Sequence, residues 1–359
     1  MLQAYKKFII KLFLKKIINV CFIFLSLILI LNVFEEISFF KDIETKSYLP
    51  FILTFLNAPS VLYELFPFIF LISSLLLFLE LINRNELNIF KINGLNNLKI
   101  IRLLFFTSIV AGFFIISIYY TFSSKLKFVY FELKNSYSND DKYLAMVTEN
   151  GIWIKDEINQ AILIINAKKI KNNYLNDVLI SVFNEQFNLI RVIKSKEIDI
   201  SNKKWQIISP SIIVNNVTTN SDNNVKLDTH FNMKKINELF SDLSSLNILA
   251  LIKLREDYKL LGYSTTEIDS HLNRIYALPF YLSVMTIIAA IIMLNIKRNK
   301  PMIFYMILSI FLSVIIYYIY YLFNLMGESG KIPLHLSTWL PLILLTIFII
   351  IGLVRINEK

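Results

Sequence analysis

"IRLLFFTSIVAGFFIISIYYTF", residues 101–122, decides how this chain is read. At about 1.5 Å per residue it is long enough to cross the roughly 30 Å hydrocarbon core of a bilayer as a helix. Directly after it the composition turns polar and the apolar spacing falls to two, the signature of strands. Five more apolar runs of spanning length lie at 17–34, 60–82, 275–296, 302–325 and 335–354, so the chain reads as six transmembrane helices with a soluble insertion between the third and fourth. The bulk composition agrees. In 359 residues, 55% of side chains are hydrophobic, 14% are aromatic and the mean hydropathy is +0.56, far more apolar than a soluble domain. The single cysteine, Cys21, lies in an apolar run, which excludes an internal disulfide.

The formal charge of +10 is distributed as membrane topology would place it, not along one soluble face, so nucleic acid is not a partner. Lys6, Lys7, Lys11, Lys15 and Lys16 stud an N-terminal segment with no small-residue cleavage site, which reads as an interfacial helix entering the first span. Basic residues recur at Arg84, Lys91, Lys99 and Arg102, at Lys297, Arg298 and Lys300, and at Arg355 and Lys359. The alternate loop 35–58 instead carries Glu35, Glu36, Asp42 and Glu44 against Lys41 and Lys46. This alternation predicts cytoplasmic termini and an outward-facing 123–274.

In the insertion, "NVKLDTHF" (224–231) alternates Val225, Leu227, Thr229 and Phe231 with Lys226, Asp228 and His230, a half-buried strand pattern. "GIWIKD", "AILIINA", "VLISVFNE", "LIRVIKSKEIDIS" and "KWQIISPSIIV" are further strands, broken by Asn, Asp, Gly and Ser. The set predicts an all-β, jelly-roll-like or sandwich domain over 123–240. A helix over 242–262, capped by Gly262, leads into the last three spans in 241–359. Period two does not distinguish a filled core from an open trough.

Chemistry-bearing motifs are missing. "GESGK" (327–331) lacks the first glycine and the hydroxyl residue of a phosphate-binding loop, with Leu325 and Ile332 at those positions. His230, His271 and His335 lie in separate segments without metal-ligand spacing, so no metal is predicted. Asn216-Val217-Thr218 matches a glycosylation acceptor by pattern alone. Glu64 and Glu80, near opposite ends of the second span, read as snorkelling carboxylates.

One polar stretch stands out: "RNELNIFKINGL" (84–95), between two spans, with Leu87, Phe90 and Ile92 among polar residues and Gly94 as a stop. On composition alone it is a solvated loop with stop-transfer charges. The order of motifs, however, resembles the lipopolysaccharide export permease family, LptF/LptG, along nearly the whole chain. "APSVLYELFPF", with Pro59 and Pro67 opening the second span, precedes a match to the family's R-S-E-L run and its later glycine through Arg84, Glu86, Leu87 and Gly94, with Asn85 in place of the serine. "NGIWIKD" and "KKWQI" resemble two family strands, through Trp153 and Trp205. "YSTTEIDSHLNRIYALPFYLSVM" and "MGESGKIPLHLSTWLP" are more similar to LptG, including Pro279, Gly330, Pro333, Trp339 and Pro341.

The resemblance implies a bacterial inner-membrane permease subunit, not an enzyme, in an ATP-driven exporter that extracts lipopolysaccharide and passes it to a periplasmic bridge. It implies an LptB-like ATPase dimer, which holds the ATP and Mg, so that this chain has no cofactor. It also implies an LptF-like second permease, an LptC-like membrane-anchored protein and an LptA-like bridge. Arg84, Glu86, Leu87, Lys91 and Gly94 of the helix 84–95, within the membrane region 1–122, become ATPase-coupling residues. Where the family carries a phosphate-contacting base on the first span this chain has Asn32; Lys41 and Lys46 are the substitutes, and Val225 and Leu227 are the lipid-facing candidates of the β domain. The alternative is a structural or sensory membrane protein whose β domain binds a partner without moving lipid.

Overall fold

A computed structural model describes residues 2–41, 46–137, 152–158, 161–171, 173–214, 217–221, 223–233, 236, 242–260, 263–295 and 301–357. Asp42, Glu44, Asn216, Gly262, Lys297, Arg298, Lys300 and Lys359 lie outside them. The chain divides into two compact units, one of residues 1–127 with 266–359 and one of residues 128–265.

Among the described residues six helices are long and apolar enough to cross a membrane. The segment read as an interfacial helix entering the first span is continuous with that span in α1, Leu2–Phe39. No proline or glycine interrupts those residues, so nothing in the backbone forces a break. α2 is Leu49–Asn83. It begins ten residues before Pro59, with Pro50 in its first turn where the missing amide costs nothing. Pro59 and Pro67 therefore lie inside the helix rather than opening it. α3 is Glu86–Ile92 and α4 is Asn97–Phe114, the latter capped by the Asn96 side chain, which accepts from the Leu98 amide at 3.2 Å. A π-helical segment, Ile115–Tyr120, joins α4 to α5, Thr121–Tyr137.

After the β unit come α6, Ile248–Leu260, then α7, Thr266–Leu294, α8, Met302–Glu328, and α9, Leu334–Asn357. α7 is the most enclosed of the six spans and packs on α2, α4, α8 and α9. Thr286 ties three helices together: its hydroxyl donates to Leu282 O, it accepts from Ser108 Oγ of α4 at 3.0 Å, and its carbonyl accepts from Ser74 Oγ of α2 at 3.0 Å. Such hydroxyl bridges replace the hydrophobic drive that lipid cannot supply between helices.

The second unit contains β1 (Ile152–Ile158), β2 (Ala161–Lys171), β3 (Tyr174–Phe183), β4 (Leu189–Asp199), β5 (Lys204–Ile208), β6 (Ser211–Val214), β7 (Val217–Asn220) and β8 (Val225–Asp228). They form one antiparallel half-barrel sheet in the order β1-β2-β3-β4-β5-β8, with β6 on β4 and β7 on β6. Ser209, at φ 44°, and Pro210 split the single strand expected over 204–214 into β5 and β6. Leu175, Ile180, Ile193, Ile198, Trp205, Ile207 and Phe231 are buried, and Trp205 Nε1 donates to Phe231 O at 2.9 Å.

β1 and β8 stand at opposite ends of the strand order, yet a buried carboxylate links β1 to the residues after β8. Asp156 accepts from Thr229 Oγ1 at 2.7 Å, the His230 amide at 3.0 Å and His230 Nδ1 at 2.8 Å. The curl of the sheet thus brings its first strand to its last. Burial pushes the Tyr263 phenol above its ordinary range, keeping it neutral, and its oxygen accepts from the Lys155 amide at 2.6 Å.

Candidate functional site

The site is built where α2 ends. Arg84 stops α2, and Asn85, at φ 54°, takes the left-handed conformation that asparagine tolerates better than most residues. This turn starts α3 in a new direction, with Glu86 in its first turn and Lys91 in its last, each favoured there by the helix dipole. Gly94, at φ 76°, closes the other end: Leu95 N donates to Phe90 O at 2.9 Å and Gly94 N to Lys91 O at 3.0 Å, the Schellman pair of bonds. Leu87 and Leu95 are buried and anchor the helix from below, while Ile89 and Ile92 are 52% and 85% exposed.

The charges form a chain across three helices. Lys16 of α1 lies 2.5 Å from Glu80 of α2, Glu80 lies 2.7 Å from Arg84, and Arg84 lies 3.9 Å from Glu86 Oε1. Glu86 Oε2 is buried and accepts no hydrogen bond. Phe90 packs between Tyr5 and Phe8 of α1, with ring centroids 6.5 and 6.4 Å apart. α3 therefore combines an anchored underside, an exposed apolar face and a carboxylate oxygen with unused acceptor capacity. Arg84, Glu86, Leu87, Lys91 and Gly94, singled out in the sequence, come together here.

Asn32 lies on α1 about 24 Å along the helix from Lys16, half-buried, with its Nδ2 buried and without a hydrogen-bond partner. Lys41 is exposed just past the end of α1, and Lys46 Nζ sits 5.9 Å from the Tyr48 ring centroid before α2. These three thus belong to the end of the α1–α2 hairpin remote from α3. Val225 and Leu227 are in the second unit, half-buried on the edge strand β8 opposite Ile207 and Trp205.

Residues 327–331 make the end of α8 and its turn, where Lys331 N donates to Met326 O. A helix C-terminus presents carbonyls, the wrong polarity for phosphate. Among the described residues no group of three or more His, Cys, Asp or Glu could hold a metal. His230 and His271 have Asp156 and the Tyr120 hydroxyl as partners, the latter at 2.9 Å.

A family model described as Lipopolysaccharide export system permease LptF/LptG matches residues 7–355. The chain belongs to this family. No individual curated protein matches it significantly. As a member of the LptF/LptG family it is a multi-pass inner-membrane permease subunit of a lipopolysaccharide export system, which works with partner proteins, and it is not itself an enzyme.

Three features of the LptF/LptG chain escaped the sequence reading. Glu80 is ion-paired to Lys16 and Arg84 rather than snorkelling. Its spacing to Arg84, carboxylate first at i,i+4, was a usable signal. The Lys16 contact and the Phe90 contacts join residues far apart in sequence and left none.

Proposed function

We propose that this permease is the LptG-like half of an ATP-driven lipopolysaccharide extractor, docked through α3 onto an LptB-like ATPase dimer and paired with an LptF-like chain. The work is mechanical: ATP is split in the partner, and this chain converts the partner's motion into movement of lipid. LptC-like and LptA-like proteins receive the lipid beyond the membrane, the β unit being the periplasmic, jelly-roll-like part and both termini cytoplasmic. The LptG assignment rests on the segments 263–285 and 326–341. Asn32, Lys41 and Lys46 are assigned to the phosphates of the lipid, and Val225 and Leu227 to its path over the β unit.

The observation that carries the docking assignment is Glu86 Oε2, buried and unpartnered, beside exposed Ile89 and Ile92 on a short helix with an anchored underside. An enclosed carboxylate oxygen lacking a donor is a cost that a partner's arginine or lysine removes. Removing one member of such an interfacial pair typically costs about 2–5 kcal/mol, some tens- to thousands-fold in affinity. Glu86→Ala is therefore expected to lose the ATPase on co-purification while membrane insertion is kept, and exposed Glu185→Ala of the β3–β4 turn is expected to retain it. Equal ATPase recovery from wild type and both variants would remove the docking role. Lipopolysaccharide retained by the assembled complex, with faster ATP hydrolysis in its presence, distinguishes export from a structural or sensory role.

A further inference from the structure

We propose that Lys16 and Glu80 are positioning residues that lock α3 to α1, so that a push on α3 moves the first span together with the second. The inference rests on α3 being the ATPase dock. α3 follows α2 directly in the chain, and covalent continuity alone would deliver its motion to α2. Two independent contacts add α1. Lys16 reaches Glu80 at 2.5 Å, and Glu80 holds Arg84 at 2.7 Å, at the residue where α2 hands over to α3. One helical turn or more further along, Phe90 is wedged against Tyr5 and Phe8.

The two contacts grip α1 at separated points. From Phe8 to Lys16 is about 12 Å along the helix, so α1 is held against both rotation and sliding relative to α3. Between them Ile9 and Phe13 are fully buried and Phe13 meets Phe70 of α2 edge-on at 6.0 Å, a dry seam that resists shear. Lys16 and Glu80 side chains are 22% and 17% exposed, so water competes weakly for the pair. A lysine whose sole task was to stop the span at the headgroups would have no reason to meet a carboxylate of the neighbouring helix. The Lys16–Glu80 pair makes the long N-terminal extension of α1 a lever arm of the coupling machinery.

The test uses the assembled exporter in lipid nanodiscs with Lys16→Met, Glu80→Gln and the conservative Lys16→Arg, each confirmed as inserted and monodisperse. Nitroxides at exposed Lys7 and Asn88 report the α1–α3 distance with and without the ATPase. Lys16→Met and Glu80→Gln are expected to broaden that distribution, to keep ATPase co-purification and to lower lipopolysaccharide released per ATP hydrolysed several-fold. Lys16→Arg is expected to behave as wild type. An unchanged distance distribution with unchanged lipid yield per ATP would overturn the proposal. Loss of the ATPase itself in Lys16→Met would also overturn it, since Lys16 would then be a docking contact. Failure of the docking assignment shows separately, as normal ATPase recovery with Glu86→Ala, and the label distances in the free permease still report on the lock.

Discussion

Asp156 is enclosed to 1% exposure and meets donors from both sides, with Glu157 N at 2.9 Å in addition to the groups of Thr229 and His230. With the carboxylate as acceptor, the His230 ring donates through Nδ1. Asp156→Ala leaves the Thr229 hydroxyl and the His230 amide without their acceptor, a loss of about 3 kcal/mol on the scale of two charge-assisted hydrogen bonds. Asp156→Asn fares little better, because its amide group faces donors. His230→Ala keeps the backbone donor and removes a side chain that is 63% exposed, so it is expected to cost about 0.5 kcal/mol or less. Hydrogen exchange of the β1 amides in the intact protein measures the contrast: faster in both Asp156 variants, close to wild type in His230→Ala. Equal protection in all of them would mean that the linkage does not stabilise β1.

At the scale of elements, α4 and α7 come into close backbone contact. A Cβ built on Gly112 would lie 2.6 Å from Pro279 Cα and 2.8 Å from Pro279 Cβ, so the two backbones meet where one residue has no side chain. Gly112→Leu is expected to push the helices apart at about 2 kcal/mol or more and to lower the thermal midpoint of the detergent-solubilised protein; an unchanged midpoint would show that the contact has room to relax. The helices themselves were legible because six apolar runs have no other soluble or interfacial explanation. Their ends were less so. α2 starts at Leu49 because Pro50 suits a first turn as well as Pro59 does, and a linear reading cannot rank two prolines. α5 continues to Tyr137 although Lys125, Lys127, Glu132 and Lys134 dilute its hydropathy, a helix carried by continuity with α4 rather than by apolar content. Within the candidate site, Gly94 was readable as a helix stop from turn chemistry, whereas Arg84 and Glu86 were singled out only through the family resemblance. Lys16, Phe8 and Tyr5 were not, because they reach the site by tertiary packing.

Across the whole molecule, enclosure is uneven. α2 and α7 are 61% and 78% buried over their spans, against 22% for α1 and 28% each for α8 and α9. Phe22, Leu31 and Phe34 of α1 and Ile307, Phe311 and Tyr318 of α8 are among the exposed apolar residues, surfaces suited to acyl chains or to the helices of a partner protein. In the β unit Trp205 is fully buried, whereas Val225 and Leu227 on β8 remain partly open. A photo-crosslinker at either position, in the assembled and energised exporter, is expected to capture lipopolysaccharide; products confined to the β unit would exclude these residues from the lipid path.

The Asp156 linkage also imposes an order in time. Its acceptor and the Thr229 hydroxyl are 73 residues apart, and a ribosome adding roughly 5–20 residues per second needs about 4–15 s to make the intervening chain. Through that interval the carboxylate stays hydrated and β1 has β2 as its local partner. This linkage can close only after the residues following β8 have been made and their donors reach Asp156. A nascent chain halted before Thr229 would carry all eight described strands and still lack the contact that joins the first to the last.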